Sequence, residues 1–345
     1  MFTIGDCFRC PAISFPRPYR FQLQILIVVF FVLALVRQDL QAETYTSPAK
    51  AGAIYKMQGE YLGVVEAWGG TWGAQVIAVS EKKVSIHLLE GGLPGQGFKG
   101  GPPSKTVEAS IDVAKEIAEA AKDAVTILLK PQALEIRDAA GKKMGELTKI
   151  LRESKTLGAR PAIDAIVLFD SNKINDFDGS KIGEDGLLGV GGTSKERFGD
   201  HRMHIEFRTP FQPDDSGQGR GNSGVYIQGR YELQVLDSFG LAGENNECGG
   251  IYQIAKPLLN MCFPPLSWQT YDIDFKAATY DASGKKTANA KLNVKHNGVV
   301  IHDALELPKG TPGKDPESAS LGPLFLQDHG NPVVFRNIWA QKTTN

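Results

Sequence analysis

The chain has 345 residues, 42% hydrophobic and 22% charged, which excludes a collagen-like or disordered polymer and suffices for one large or two smaller cores. The formal net charge is −1 and no long run of one sign occurs, which argues against binding driven by nucleic-acid phosphates. With 38 Gly and 19 Pro, turns are frequent and an all-helical bundle is disfavoured.

The N-terminus reads as an address. Ile25 to Val36 is an unbroken apolar run, preceded by Arg9, Arg17 and Arg20 and followed by Leu40-Gln41-Ala42. That is the pattern of a secretory signal peptide, and the run is short for a membrane span. Residues 1–42 are therefore expected to be removed, leaving an exported, periplasmic or extracellular chain with no membrane attachment. Removal takes away four Arg and two Asp and moves the net charge from −1 to −3. Of the four cysteines, Cys7 and Cys10 leave with this segment. Cys248 and Cys262 remain, and an oxidising compartment favours their pairing as a disulfide.

Residues 43–160 form a first module, a small mixed α/β or β unit. Strand-like runs lie at Gly63 to Glu66, Ala74 to Val79 and Val84 to Leu89, followed by the turn-rich loop Gly91 to Ser104. Val107 to Val125 has apolar residues at helical spacing (Ile111, Ala114, Ile117, Ala118, Ala121, Val125), which predicts a helix. Val125 to Leu129 and Ala133 to Ile136 return to strand. No catalytic cluster stands out here, and an accessory or partner-binding role is the plain reading, with the partner undefined.

From Ala165 onward the chain becomes short strands between Gly, Pro, Asn and Asp turns. They include His201 to Arg208, Gly224 to Leu236, Gln269 to Lys276, Lys291 to His296 and Pro332 to Ala340. The fold class is mainly β, an antiparallel sandwich. Alternation predicts that Ile205/Phe207 and Val225/Ile227 are buried, with the polar residues between them on the other face. That polar face, carrying Tyr226 and Gln228, suits a carbohydrate.

Common catalytic signatures fail. The glycines Gly217, Gly219 and Gly221 precede a strand rather than a helix, so no dinucleotide fingerprint exists. His201 and His204, three apart on a strand, point to opposite faces and make a poor ligand pair. The densest polar strand is Gly221 to Gly240, where Glu232 and Gln234 share a face and Asp237 could rejoin it through a bulge. It echoes the carboxylate strand of family-sixteen glycoside hydrolases. Five strand residues span ~16 Å, however, too far for a retaining carboxylate pair at ~5–5.5 Å. Gln327, Asp328 and His329 precede a Gly-Asn-Pro turn, and His329 reads as a metal ligand, a base or a turn cap. Trp268 reads as a sugar platform or a core residue.

The runs NSGVYIQGRYELQVLDSFG, ECGGIY, PPLSWQTYDIDF, HNGVVIH and GPLFLQDHGNPVVFRNIW, in that order, resemble the 3-keto-disaccharide hydrolase family. The resemblance covers about Ala165 to Trp339 within a C-terminal domain at 165–341. It implies a concanavalin-like jelly-roll sandwich that cleaves glycosides oxidised at C3, by C2 proton abstraction, elimination at C1 and rehydration. On this basis Glu206, Glu232 and His329 are expected to converge as metal ligands or base, with a divalent ion of unknown identity. Arg230 and Gln234 are expected to bind the enolate or sugar hydroxyls, joined in substrate binding by Tyr226, Gln228 and Trp268. Asp237 and Asp328 are expected to orient partners or act as acid. The competing reading is a lectin-like sandwich that binds carbohydrate without turnover.

Overall fold

Alternation decides the first half. Val84, Ile86 and Leu88 on one strand, Val107, Ala109 and Ile111 on the next, and Leu134 and Ile136 further on are all buried, with polar residues between them. In the computed structural model, which describes residues 43–171 and 174–343, these segments close into an eight-stranded barrel. Its strands are Gly59–Val65, Gly70–Ser80, Lys83–Glu90, Lys105–Asp112, Ile117–Lys122, Val125–Lys130, Ala133–Asp138 and Lys143–Ile150. Each runs antiparallel to the next, and the last returns to pair with the first, Ile150 opposite Glu60. Closure removes every free edge, and side chains fill the interior. The helix Gly52–Met57 caps it, burying Ile54 and Met57.

The helix expected over Val107 to Val125 is instead two strands joined by a tight turn. Asp112 Oδ1 accepts from the N–H groups of Ala114 and Lys115, each at 3.2 Å, and reverses the chain there. The buried set Val107, Ala109, Ile111 and Ala118 fits a period of two, and closure of the barrel supplies the strand partners. Among the described residues no helix is long and apolar enough to cross a membrane. The expected signal peptide over 1–42 lies outside the described residues.

The second half is a jelly-roll sandwich, concanavalin-like as expected. One sheet has six strands, in the order Ile166–Phe169, Val334–Lys342, His201–Arg208, Gln269–Lys276, Ala290–His296 and Val299–Leu307. The other has five: Phe177–Asp178, Thr193–Phe198, Gly322–Leu326, Ser223–Ile227 and Tyr231–Val235. Ile205 and Phe207 from the first meet Val225, Ile227, Leu233, Val235 and Leu326 from the second in one core. Polar residues therefore emerge on two outer faces that point away from each other.

Barrel and sandwich share packing. Tyr45 and Phe211 exchange two backbone hydrogen bonds of 2.9 Å and stack their rings. Phe211 and Leu266, from the sandwich half, are buried with the barrel core. Arg220 Nη1 donates to the Ala78 carbonyl of the barrel at 2.8 Å. The connecting segment 151–165 crosses the outer face of the six-stranded sheet. Thr156 Oγ1 there donates to Asp272 at 2.6 Å, and Gly158 N to Glu206 at 2.6 Å.

Candidate functional site

Gly224 to Leu236 is a hairpin rather than a single strand. Gln228 and Gly229 both take positive φ, 55° and 67°, and Arg230 N donates to Ile227 O, so the chain reverses through the three residues between the paired Ile227 and Tyr231. The turn sets Tyr226 opposite Glu232 and Gly224 opposite Gln234. With Leu233 and Val235 in the core, Tyr226, Glu232 and Gln234 share the outer face of the five-stranded sheet. The strand Gly322–Leu326 pairs on the other side of Ser223–Ile227 and adds Phe325 and Gln327 to that face, since Leu324 and Leu326 point inward.

Glu232 is the centre of this face and is only 3% exposed. Tyr226 Oη donates to its Oε2 at 2.8 Å. Burial pushes the Glu232 carboxyl up to about 7, with the Tyr226 hydrogen bond acting against that rise. The Tyr226 hydroxyl is itself driven well above the usual tyrosine range, first by burial and then by the nearby Glu232 charge. Gly224 leaves room for the carboxyl, because a Cβ there would sit 2.7 Å from Glu232 Oε1 and would displace it. Gln234 Nε2 donates to Asn222 Oδ1 at 3.1 Å and Gln218 Oε1 at 3.2 Å, while its Oε1 is buried without a partner. A buried acceptor left open on a polar face is suited to a ligand hydroxyl.

A strap from Gly310 to Asp315 lies over this face. Thr311 Oγ1 accepts from Glu232 N at 2.9 Å, and Pro312 O accepts from Tyr226 Oη at 3.2 Å. The hairpin turn anchors the rest of the loop. Arg230 donates to Ser318 O at 3.0 Å and Ser318 Oγ at 2.8 Å, and Gln228 Nε2 donates to Phe198 O at 2.8 Å. Gln228 and Arg230, expected to hold substrate, thus spend these groups on protein partners at the end of the hairpin, although Arg230 Nε is buried without one. Asp328 and His329 are exposed in the turn after Gly322–Leu326, on the rim of the same sheet, where Asp328 Oδ1 accepts from Gly330 N at 2.9 Å.

Glu206 lies elsewhere. It sits on the outer face of the six-stranded sheet, so the whole sandwich core separates it from Glu232. Burial alone would raise its carboxyl, but hydrogen bonds from His204, Asn337, Gly158 N and Arg336 outweigh that and bring it down to about 2. His204 bridges Glu206 and Asp272 and stacks on Trp339. Glu206 therefore fastens the connecting segment to the sheet. The expected convergence of Glu206, Glu232 and His329 does not occur. Among the described residues no three His, Cys, Asp or Glu side chains come together to hold a metal ion. Glu206, Glu232 and His329, set apart in this way, do not fit a shared divalent ion.

The remaining expectations sort by geometry. Trp268 is on the Glu206 side, with the guanidinium of Arg336 3.9 Å and that of Arg208 5.0 Å from its ring, so it is no platform beside Glu232. Asp237 accepts from Arg220 Nε at 2.6 Å in a buried ion pair and ties the end of the Glu232 strand to the barrel. Cys248 and Cys262 are free, buried thiols rather than the expected disulfide. Burial and the adjacent Cys248 push the Cys262 thiol up. Sequence reasoning singled out Gln327 beside Asp328 and His329 without giving it a role, and missed the strap. Alternation marks Gln327, next to the inward Leu326, as outward, whereas the strap carries no periodic signal at all.

A family model described as a 3-keto-alpha-glucoside-1,2-lyase-like domain matches residues 164–341, slightly more than half of the chain. Among solved structures, a "putative glycosyl hydrolase" of Parabacteroides distasonis is 32% identical over 52% of this chain and 84% of its own, with a TM-score of 0.48. A second structure of that organism with the same description is 16% identical over 56% and 99%, with a TM-score of 0.39. No curated protein matches.

Proposed function

Because the chain belongs to the 3-keto-alpha-glucoside-1,2-lyase-like family, we propose that it cleaves glycosides whose C3 hydroxyl has been oxidised to a ketone, with Glu232 as the base. The observation that carries this reading is a buried carboxyl poised at about 7, held by a tyrosine on a polar sheet face. The C3 ketone acidifies the C2 proton. Glu232 takes that proton, and the electron pair moves onto the C3 oxygen as an enolate. The enolate collapses back to the ketone, forms a C1=C2 double bond and expels the C1 oxygen substituent, which receives the proton taken up by Glu232, directly or through water, and leaves as the alcohol. Water then adds hydroxyl at C1 and hydrogen at C2 to give the free 3-keto sugar. One base in a buried, low-dielectric site serves this route, and the spacing that a two-carboxylate hydrolase needs does not enter.

The open Oε1 of Gln234 is placed to accept a sugar hydroxyl beside Glu232. Asp328 and His329, on the rim, are the candidates for contact with the leaving group. Substrate reaches Glu232 past the strap, since the carboxyl is almost wholly covered. We propose that residues 1–42 are removed on export and that the chain works outside the cytoplasm, and the intact mass of the chain recovered from its host tests this.

The test is mass spectrometry of the purified chain with a 3-keto-disaccharide and, in parallel, the unoxidised disaccharide. Cleavage of the keto form alone is expected, with a rate that rises as pH passes through about 7 and falls at least 100-fold in Glu232→Gln. Failure to cleave either sugar, with sugar binding intact, would establish the lectin-like alternative. Full activity in Glu232→Gln would remove Glu232 from the scheme.

A further inference from the structure

The Tyr226 hydroxyl has three partners. It lies 2.8 Å from Glu232 Oε2 and 3.2 Å from Pro312 O, both acceptors, and it receives Gln327 Nε2 at 3.2 Å. A hydroxyl has one hydrogen to give and two lone pairs. When Glu232 is ionised, Tyr226 gives its hydrogen to the carboxylate and accepts from Gln327. When Glu232 is protonated, the carboxyl gives its own hydrogen to Tyr226 Oη, and the tyrosine hydrogen turns to Pro312 O. No heavy atom has to move between the two arrangements.

We propose that Tyr226 is a two-way hydrogen-bond switch that satisfies Glu232 in both of its protonation states, with Gln327 and the Pro312 carbonyl as its two terminals. This deepens the reading of Glu232 as the base, which must take a proton and later release it from one fixed position. Gln327 is then a positioning residue that acts through Tyr226. Its amide donation strengthens the Tyr226 hydrogen bond to the ionised carboxylate, because hydrogen bonds in a chain polarise one another. The other titratable or charged groups around the pair are Tyr252, Lys314, Asp315, Asp328 and His329. Tyr252 meets the pair through its backbone, its N donating to Glu232 O at 3.2 Å. Lys314 Nζ is bound to Thr193 Oγ1 at 2.5 Å and lies over Phe325. Among the described residues, none of the five has a side-chain hydrogen bond to Glu232 or Tyr226.

The test reads Glu232 directly rather than turnover. The full chain is labelled with 13C at the glutamate side-chain carboxyl, the Glu232 signal is assigned by its loss in Glu232→Gln, and its midpoint is followed by NMR across pH. Tyr226→Phe should raise the midpoint by about one pH unit, and Gln327→Met by about half a unit, with the fold checked by urea unfolding. Gln327→Glu, which keeps the length but removes the donor and adds a negative charge, should raise it further. A Gln327→Met midpoint equal to wild type, with Tyr226→Phe shifted, would overturn the role of Gln327. An unshifted Tyr226→Phe would overturn the switch. A wild-type midpoint near that of an ordinary glutamate would instead sink the reading of Glu232 as a poised base, and inactivity towards keto sugars would sink the proposed reaction while leaving the switch standing.

Discussion

Glu232→Gln should make the protein more stable, and by an amount that depends on pH. The carboxyl moves from the usual 4.5 to about 7 on folding, because burial disfavours its charge. Between these values the folded state binds more protons than the unfolded state, so stability falls as pH rises through this window. Above it the cost is complete. The difference of ~2.5 pH units at ~1.36 kcal/mol each gives about 3 kcal/mol. Glutamine has the same shape, still accepts from Tyr226 and never ionises, so it escapes this cost. Urea unfolding of both proteins at pH 5, 6, 7, 8 and 9 reads the effect. The variant should be ahead by about 1 kcal/mol at pH 5 and by about 3 kcal/mol at pH 9. Other titrating groups are common to both chains and cancel in the difference. Stability profiles that stay parallel from pH 5 to 9 would refute the reasoning, since they would mean that Glu232 ionises as easily in the fold as out of it.

Three further variants test groups away from Glu232. Asp237→Asn breaks the buried pair with Arg220 and should cost about 3–5 kcal/mol in urea unfolding, because Arg220 is left charged and buried. Glu206→Gln should be less stable than wild type at pH 7 and should lose that deficit in acid. A carboxylate held down to about 2 stabilises the fold above about 4.5, and that stability is lost as pH falls through about 2. The same variant should leave the Glu232 NMR midpoint unchanged, as the two lie on opposite faces. Phe211→Ala removes a fully buried ring at the barrel–sandwich contact and should cost about 3–5 kcal/mol in chemical denaturation, with barrel and sandwich losing structure together.

The strands that carry the site were readable because their chemistry alternates. Ile205 and Phe207, Val225 and Ile227, and Leu233 and Val235 all point where a period of two sends them, and Glu232 and Gln234 point the other way. Which sheet each strand joins was not readable. Alternation assigns a residue to a face of its own strand, and two strands with outward carboxylates can sit back to back, as those of Glu206 and Glu232 do. The turn at Gln228-Gly229 was hidden because glutamine is an uncommon choice for a left-handed position, so a hairpin looked like one long strand. The segment Val107 to Val125 misled for another reason. Its Ala, Glu and Lys favour a helix locally, but barrel closure supplies strand partners that outweigh propensity. Tyr226 and Glu232 were legible as polar groups of one hairpin. Their poise depends on a strap from Gly310 to Asp315, nearly 80 residues further on, which no local pattern announces.

The order of strand pairing has a consequence for how the chain is made. In the barrel each strand pairs with its neighbour in sequence, and only the closing contact between Gly59–Val65 and Lys143–Ile150 is distant. In the six-stranded sheet the first strand, Ile166–Phe169, pairs with the last, Val334–Lys342, which also supplies a neighbour to His201–Arg208. During synthesis the barrel therefore has all its partners while the sandwich is still emerging. The sheet that holds Glu206 cannot finish until Val334–Lys342 is out, and until then the edge of His201–Arg208 stands open to other chains. A barrel already folded beside it, gripping Phe211 soon after that strand appears, gives the unfinished half a fixed neighbour during its most vulnerable interval.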